Sequence, residues 1–160
     1  MLDLWICAVG RLPAASPERA LVEDYARRLG PAGRAVGLGP LSVREADTRK
    51  AKGMAAEADA LRAALPAASG RVLVAMDERG RTLDSPGLAG RLAAWRDGGV
   101  PACAFVIGGA DGLDPSLRAE ADLALSFGPM VWPHALARAM LAEQLYRAAG
   151  ILAGTPYHRA

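Results

Sequence analysis

Tyr157, His158 and Arg159 put a stacking surface, an imidazole and a guanidinium side by side near the C-terminus. The chain has only two histidines. An imidazole titrates near neutral pH, a guanidinium stays charged and recognises oxyanions, and an aromatic ring stacks on unpaired bases. A site that handles RNA recruits this combination. Upstream, Glu143 and Arg147 stand four residues apart in a helical stretch, where the carboxylate can orient the guanidinium. His134 follows Pro133 at a helix start and reads as structural support for the segment before it.

Three irregular segments carry the remaining chemistry: "MDERG", "IGGADG" and "SFGPMVWPH". In "VIGGADGLDP", Gly108, Gly109 and Gly112 allow a sharp turn and a close approach to a ligand. The spacing is neither G-x-x-x-x-G-K-[ST] nor G-x-G-x-x-G. Asp111 and Asp114 would repel a pyrophosphate where a helix N-terminus should attract one, so a neutral or cationic ligand fits better than a phosphate. A plain strand-to-helix turn is the structural alternative. In "SFGPMVWPH", Pro129 and Pro133 stiffen the chain and Gly128 permits an unusual backbone angle. Met130 and Trp132 either line a flat apolar slot whose exposed backbone reads a purine edge, or plug the core under a helix start.

These segments need a scaffold. "LDLWICAV" from Leu2 to Val9 reads as a strand, and Ser16 and Pro17 as N-cap and first position of a helix whose inner face carries Leu21, Tyr25 and Leu29. "RAVGLGPL" is a weak, glycine-broken edge strand, and Ser42 to Leu65 reads as helical, closed by Pro66 and Gly70. Its basic start, with Arg44, Arg49, Lys50 and Lys52, is a solvated helix face or an RNA-facing patch. "RVLVAM" is a buried strand, "DERGRTLDSP" a turn, and a helix runs from Ser85 to Trp95. "PACAFVI" and "LALSF" are further strands, separated by a short helix capped by Asp114 and Pro115. The last helix spans His134 to Leu152, with Leu136, Met140, Leu141, Leu145, Ala148 and Leu152 facing inward.

Strands alternating with helices predict an α/β domain with a mainly parallel sheet over residues 1–160. Ligands in such sheets bind at the carboxyl ends of the strands, where the three irregular segments lie. The chain has 160 residues, 52% of them apolar, and a formal net charge of +2, too small to argue for nucleic acid by itself. No apolar run is long enough to span a membrane, and the N-terminus lacks the basic region of a signal peptide. Cys7 and Cys103, each in an apolar run, read as buried free thiols of a cytoplasmic protein, with no metal site.

Taken together, "FVIGGADGL", "LSFGPMVWPHALARAMLAEQLYRA" and "PYHR" strongly resemble the small SPOUT-superfamily methyltransferases of bacterial large-subunit ribosomal RNA. "AMDERGRTLDSPGLA" looks like that family's central strand and turn, and the likeness covers essentially the whole chain. The resemblance implies an α/β-knot fold with a C-terminal trefoil knot, and a homodimer whose RNA site lies near the subunit boundary. It implies methylation of N3 of a pseudouridine in 23S rRNA of the assembled 70S ribosome, with S-adenosylmethionine as cofactor. Met76, Gly109, Gly128, Pro129, Met130, Val131, Trp132 and Pro133 would hold the cofactor. A phosphate-free cofactor also suits Asp111 and Asp114. Gly128 and Val131 stand where the family often has hydroxyl residues, so any contact those hydroxyls make is absent.

On the same resemblance, Arg147, His158 and Arg159 are the candidates to stabilise negative charge on the base as its N3 proton leaves. His158 could instead accept that proton, a role worth about 10²–10⁴-fold, and Tyr157 would stack on or hydrogen-bond the target nucleotide. Competing expectations are a SPOUT enzyme with another target, such as a ribose 2′-hydroxyl, a non-catalytic ribosome-binding module, and an unrelated nucleotide-binding α/β protein.

Overall fold

Leu2, Leu4, Ile6 and Ala8 point to one face of the strand Leu2–Val9 (β1), while Cys7 and Val9 point to the other, and all six are buried. A strand buried on both faces needs a layer of helices on each. The computed structural model describes residues 1–50 and 52–159. Along the chain follow α1 (Pro17–Arg34), β2 (Leu38–Ala46), α2 (Met54–Ala64), β3 (Val72–Thr82), α3 (Ser85–Asp97), β4 (Ala102–Ile107), α4 (Pro115–Glu120), β5 (Leu123–Ser126) and α5 (His134–Ala153). The strands form one parallel sheet in the order β2-β1-β4-β3-β5.

One core lies between the sheet and α1, α3 and α5, built from Leu29, Leu88, Leu92, Leu141 and Leu145 against Ile6, Val74 and Phe105. A second lies under α2 and α4, where Ala58, Leu61 and Leu117 meet Cys7, Ala75 and Val106. Every residue of β4 is buried, as its place in the middle of the sheet demands. Three helix starts follow local chemistry: Ser16, Asp84 and Asp114 each accept a backbone N–H of the first turn, with proline just inside the helix.

Several expectations need correction. The segment from Ser42 to Leu65 is not one helix: β2 continues to Ala46 and α2 begins only at Met54, while position 51 lies outside the described residues. Pairing with β1 decides this, since Ile6, Cys7 and Ala8 align with Val43, Arg44 and Glu45 and give those residues ladder partners that a helix would forgo. β2 is an edge strand, as read, but shifted in sequence. The basic cluster is therefore not a helix face: Arg44 lies on the strand with its guanidinium 4.3 Å from the Trp5 ring centroid. "DERGRT" is not a plain turn either, because β3 runs to Thr82, with Asp77–Gly80 looped out where the β5 pairing jumps from Met76 to Arg81.

On α1 the buried face holds Val22 and Leu29 with half-buried Tyr25, and Leu21 is 44% exposed. On α5, Leu136, Met140 and Leu152 are only half-buried, whereas Arg138 is buried in their place.

Candidate functional site

One cavity of about 360 Å³ lies beside Met76–Arg79 of β3, the end of β4 at Ile107 and the segment that follows β5. Its volume falls within the range of about 300–1,000 Å³ usual for small-molecule sites. The cavity is lined by Met76, Gly109, Gly128, Met130, Val131 and Trp132, six of the eight residues expected to hold the cofactor. Pro129 and Pro133 are the other two; they belong to the same loop but are not among the lining residues. Gly128 has φ +108°, which a side-chain-bearing residue rarely adopts. Gly109 is constrained from outside, since a Cβ there would come 2.6 Å from Glu57 Oε2.

Met130 and Val131 are 69% and 81% exposed and Trp132 is 39% exposed, so they do not plug the core. They form an open apolar lip, as the slot reading requires. Opposite stand Asp77, Glu78 and Asp111 on the cavity wall. Asp77 receives Arg118 at 2.7 Å and the Arg79 backbone N–H at 2.9 Å. Burial disfavours ionisation of Asp77, but these partners outweigh it and hold the carboxyl below its ordinary value. The wall also carries Arg79 and His134, and Asp77 is already paired with arginines, so its glycine backbone and apolar side chains suit a flat ring without fixing the sign of the ligand's charge. Residues 108–112 make a closed glycine turn, tied by Gly112 N–H to Gly109 O at 3.0 Å, with no phosphate cradle.

A second centre forms on the far half of α5. Gly154 caps that helix at φ +70°, and the Thr155 N–H and hydroxyl both bond Gly150 O, so the tail folds back along the helix. Tyr157 then donates to Glu143 Oε1 at 3.0 Å, and Arg147 donates to the same oxygen at 2.7 and 3.0 Å. Arg147 Nη1 stands 3.2 Å from His158 Nδ1. A guanidinium has only donors, so Nδ1 is the acceptor and the ring proton sits on Nε2. Burial first, then Tyr25 and Glu143, push the Tyr157 phenol well above its ordinary pKa, which keeps it a donor. Arg147, Tyr157 and His158 are thus brought together, with Glu143 as the hub. Arg159 is exposed and makes no hydrogen bond or ion pair among the described residues, so it stands outside the cluster.

The aromatic backing of this cluster had no local signal in the sequence. The Arg28 guanidinium lies 4.6, 5.3 and 5.8 Å from the ring centroids of Tyr146, Tyr25 and Tyr157, and Tyr146 meets Tyr157 edge-on at 4.8 Å. Arg138 is a second omission. It is 1% exposed and donates to Glu45, Val9 O and Gly10 O, fixing the start of α5 to the ends of β1 and β2. The available signal was an arginine on the same helical stripe as Leu141 and Leu145. His134 is exposed and borders the cavity with its ring beside Gly10, in keeping with a supporting place.

The two centres do not coincide. At about 1.5 Å per residue, Arg147 lies roughly 20 Å along α5 from His134. Between them runs a larger cavity of about 790 Å³, bounded by Gly128 and Phe127 at one end and by Glu143 and His158 at the other.

Known proteins sharpen this picture. Residues 2–158 match the family model described as "Predicted SPOUT methyltransferase". A protein of Dinoroseobacter shibae named ribosomal RNA large subunit methyltransferase H is 62% identical over 158 residues, covering 99% of each chain. One of the same name from Ruegeria pomeroyi is 62% identical over 154 residues, covering 96% of this chain and 97% of its own. Among solved structures, a methylase-family protein of Haemophilus influenzae aligns over 99% of this chain and 70% of its own, with TM-score 0.51 at 12% identity. A methyltransferase of Bordetella pertussis aligns over 92% and 93%, with TM-score 0.50 at 18% identity; both support the fold alone.

Proposed function

The chain belongs to the SPOUT methyltransferase family, and from that premise we propose that it methylates N3 of a pseudouridine in bacterial 23S rRNA, on the assembled 70S ribosome, using S-adenosylmethionine. The observation that carries this reading is the pairing of a glycine-walled, apolar-lipped cavity beside the sheet with a tail in which Arg147 and Tyr157 converge on Glu143 and His158 meets Arg147.

Met76, Gly109, Gly128, Met130, Val131 and Trp132 would hold the cofactor. Its sulfonium supplies the electrophilic methyl group and the leaving group. The chain's own task is to orient, exclude water and stabilise charge on the base. His158, carrying its ring proton on Nε2, donates toward a carbonyl oxygen of the base while the N3 proton passes to solvent water. Arg147 adds positive charge behind that ring, and Glu143 fixes the guanidinium and the phenol of Tyr157. This assigns His158 as a donor in preference to a proton acceptor. Arg159, exposed beyond the cluster, contacts the RNA backbone.

The separation of roughly 20 Å along α5 between His134, at the cofactor cavity, and Arg147 favours a homodimer, in which a second copy brings its tail to the cofactor cavity of the first. The family's C-terminal trefoil knot is part of the same proposal; α5 packs on α1 and α3. No helix among the described residues is long and apolar enough to cross a membrane; action in the cytoplasm, as a single domain, is part of the proposal.

Labelled methyl transfer tests the reading, with whole ribosomes, separated subunits and naked rRNA as parallel substrates. Incorporation confined to whole ribosomes is expected. Incorporation into naked rRNA alone would overturn the assembly requirement, and none into any substrate would overturn the activity.

A further inference from the structure

The looped-out Asp77–Gly80 and the turn at Gly128 belong to different strands, yet both wall the same cavity. The β3–β5 ladder does not join them directly, because pairing stops at Met76 and resumes at Arg81 and Thr82. The side chain that spans the gap is Ser126. Its hydroxyl is at the end of β5, in a residue only 5% exposed. Ser126 Oγ accepts from Gly128 N–H at 3.0 Å and lies 3.1 Å from Glu78 O, to which it can donate. A local serine turn would need only the first of these bonds. The second reaches a residue far away in sequence.

The remaining supports of the loop lie elsewhere. Asp77 is held by Arg118 of α4, and Gly80 sits against the Ala124 backbone, where a Cβ would meet the carbonyl at 2.6 Å. Glu78 stands between these two anchors, and its carbonyl is tied to Ser126. Ser126 Oγ also lies 3.1 Å from Gly128 O, so its single proton has two available carbonyls and only one choice links the walls.

We infer that Ser126 is a positioning residue for the cofactor cavity: its hydroxyl pins the Asp77–Gly80 loop to the Gly128 turn, so the two walls keep one separation. This rests on the cofactor reading above. Ser126 touches no reacting atom. It acts by pre-ordering the cavity, so that binding does not have to order it. Losing both bonds leaves the binding step to order the walls and would weaken binding roughly tenfold.

The test compares wild type, Ser126→Ala and Ser126→Thr, the last keeping the hydroxyl. Amide hydrogen exchange on the cofactor-free protein should quicken at Gly128 and across 77–80 in Ser126→Ala and return toward wild type in Ser126→Thr. Calorimetry with S-adenosylmethionine should give about tenfold weaker affinity for Ser126→Ala, with KM raised and kcat within about threefold. Unchanged exchange across 77–80, or affinity within twofold of wild type, would overturn the inference. Failure of wild type to bind S-adenosylmethionine would refute the cofactor reading, while the exchange experiment would still decide whether Ser126 joins the two walls.

Discussion

Tyr157 and Arg147 meet on one oxygen, Oε1 of Glu143, one from the folded-back tail and one from the next turn of the same helix: the phenol at 3.0 Å and the guanidinium at 2.7 Å. The tail therefore reads out the position of α5, and the guanidinium reaches His158 only because that carboxylate holds it. This makes the tail a built arrangement, in contrast to the frayed end that most chains carry.

His158→Ala should bind S-adenosylmethionine as wild type does and lose methylation by about 10²-fold or more, the scale of losing one donor to a developing oxyanion. Glu143→Gln should also reduce turnover, because the hub no longer fixes Arg147. Calorimetry beside single-turnover kinetics checks both. Normal turnover in either variant would remove the tail from the chemistry.

Gly109→Val should raise the cofactor Kd at least tenfold while leaving the protein folded. The added carbon would meet Glu57 Oε2 at 2.6 Å and force the turn or α2 to shift. Titration calorimetry with a circular-dichroism control decides it, and unchanged affinity would place the cofactor elsewhere.

Arg138→Met should lower stability by about 1–3 kcal/mol, the cost of leaving buried acceptors without their donor. Glu45 and the carbonyls of Val9 and Gly10 would lose their donor together. Chemical denaturation measures this directly, and a change below 1 kcal/mol would mean that water replaces the guanidinium.

What the sequence disclosed and what it hid divide along a physical line. The glycines, prolines and capping residues are local signals, so the starts of α1, α3, α4 and α5 and the irregular segments "IGGADG" and "SFGPMVWPH" were legible from short windows. The tail residues stood out by type. The β2 extension to Ala46, the Asp77–Gly80 loop and the inward turn of Arg138 depend on partners far along the chain: β1, β5 and Glu45. Their local composition is ambiguous, and only the assembled sheet resolves it. Convergence on Glu143 was half-visible, as an i,i+4 pair, but the fold-back at Gly154 that adds Tyr157 needed the structure.

Asp77 sets an acid limit on the cavity wall. Its folded pKa lies below the ordinary value of about 3.9. Its contribution to stability is therefore complete above that value and is lost as pH falls through the lower, folded one. Arg118→Gln removes the partner at 2.7 Å, so its acid-unfolding midpoint should move to higher pH. Superimposable acid titrations of variant and wild type would contradict the pairing.

Both thiols should stay silent in the folded protein. Burial pushes Cys7 up to about 11 and Cys103 higher still, and both are free and buried. Alkylation at pH 8 should proceed only after unfolding; rapid reaction of either in native buffer would contradict their burial.

The most direct measurement is nucleoside mass spectrometry of 23S rRNA from ribosomes lacking the modification, incubated with this protein and S-adenosylmethionine. The account predicts one added methyl, on N3 of a pseudouridine, absent with His158→Ala. A methyl on a ribose 2′-hydroxyl or on another base would contradict the assigned target, and no added methyl would contradict the catalytic reading itself.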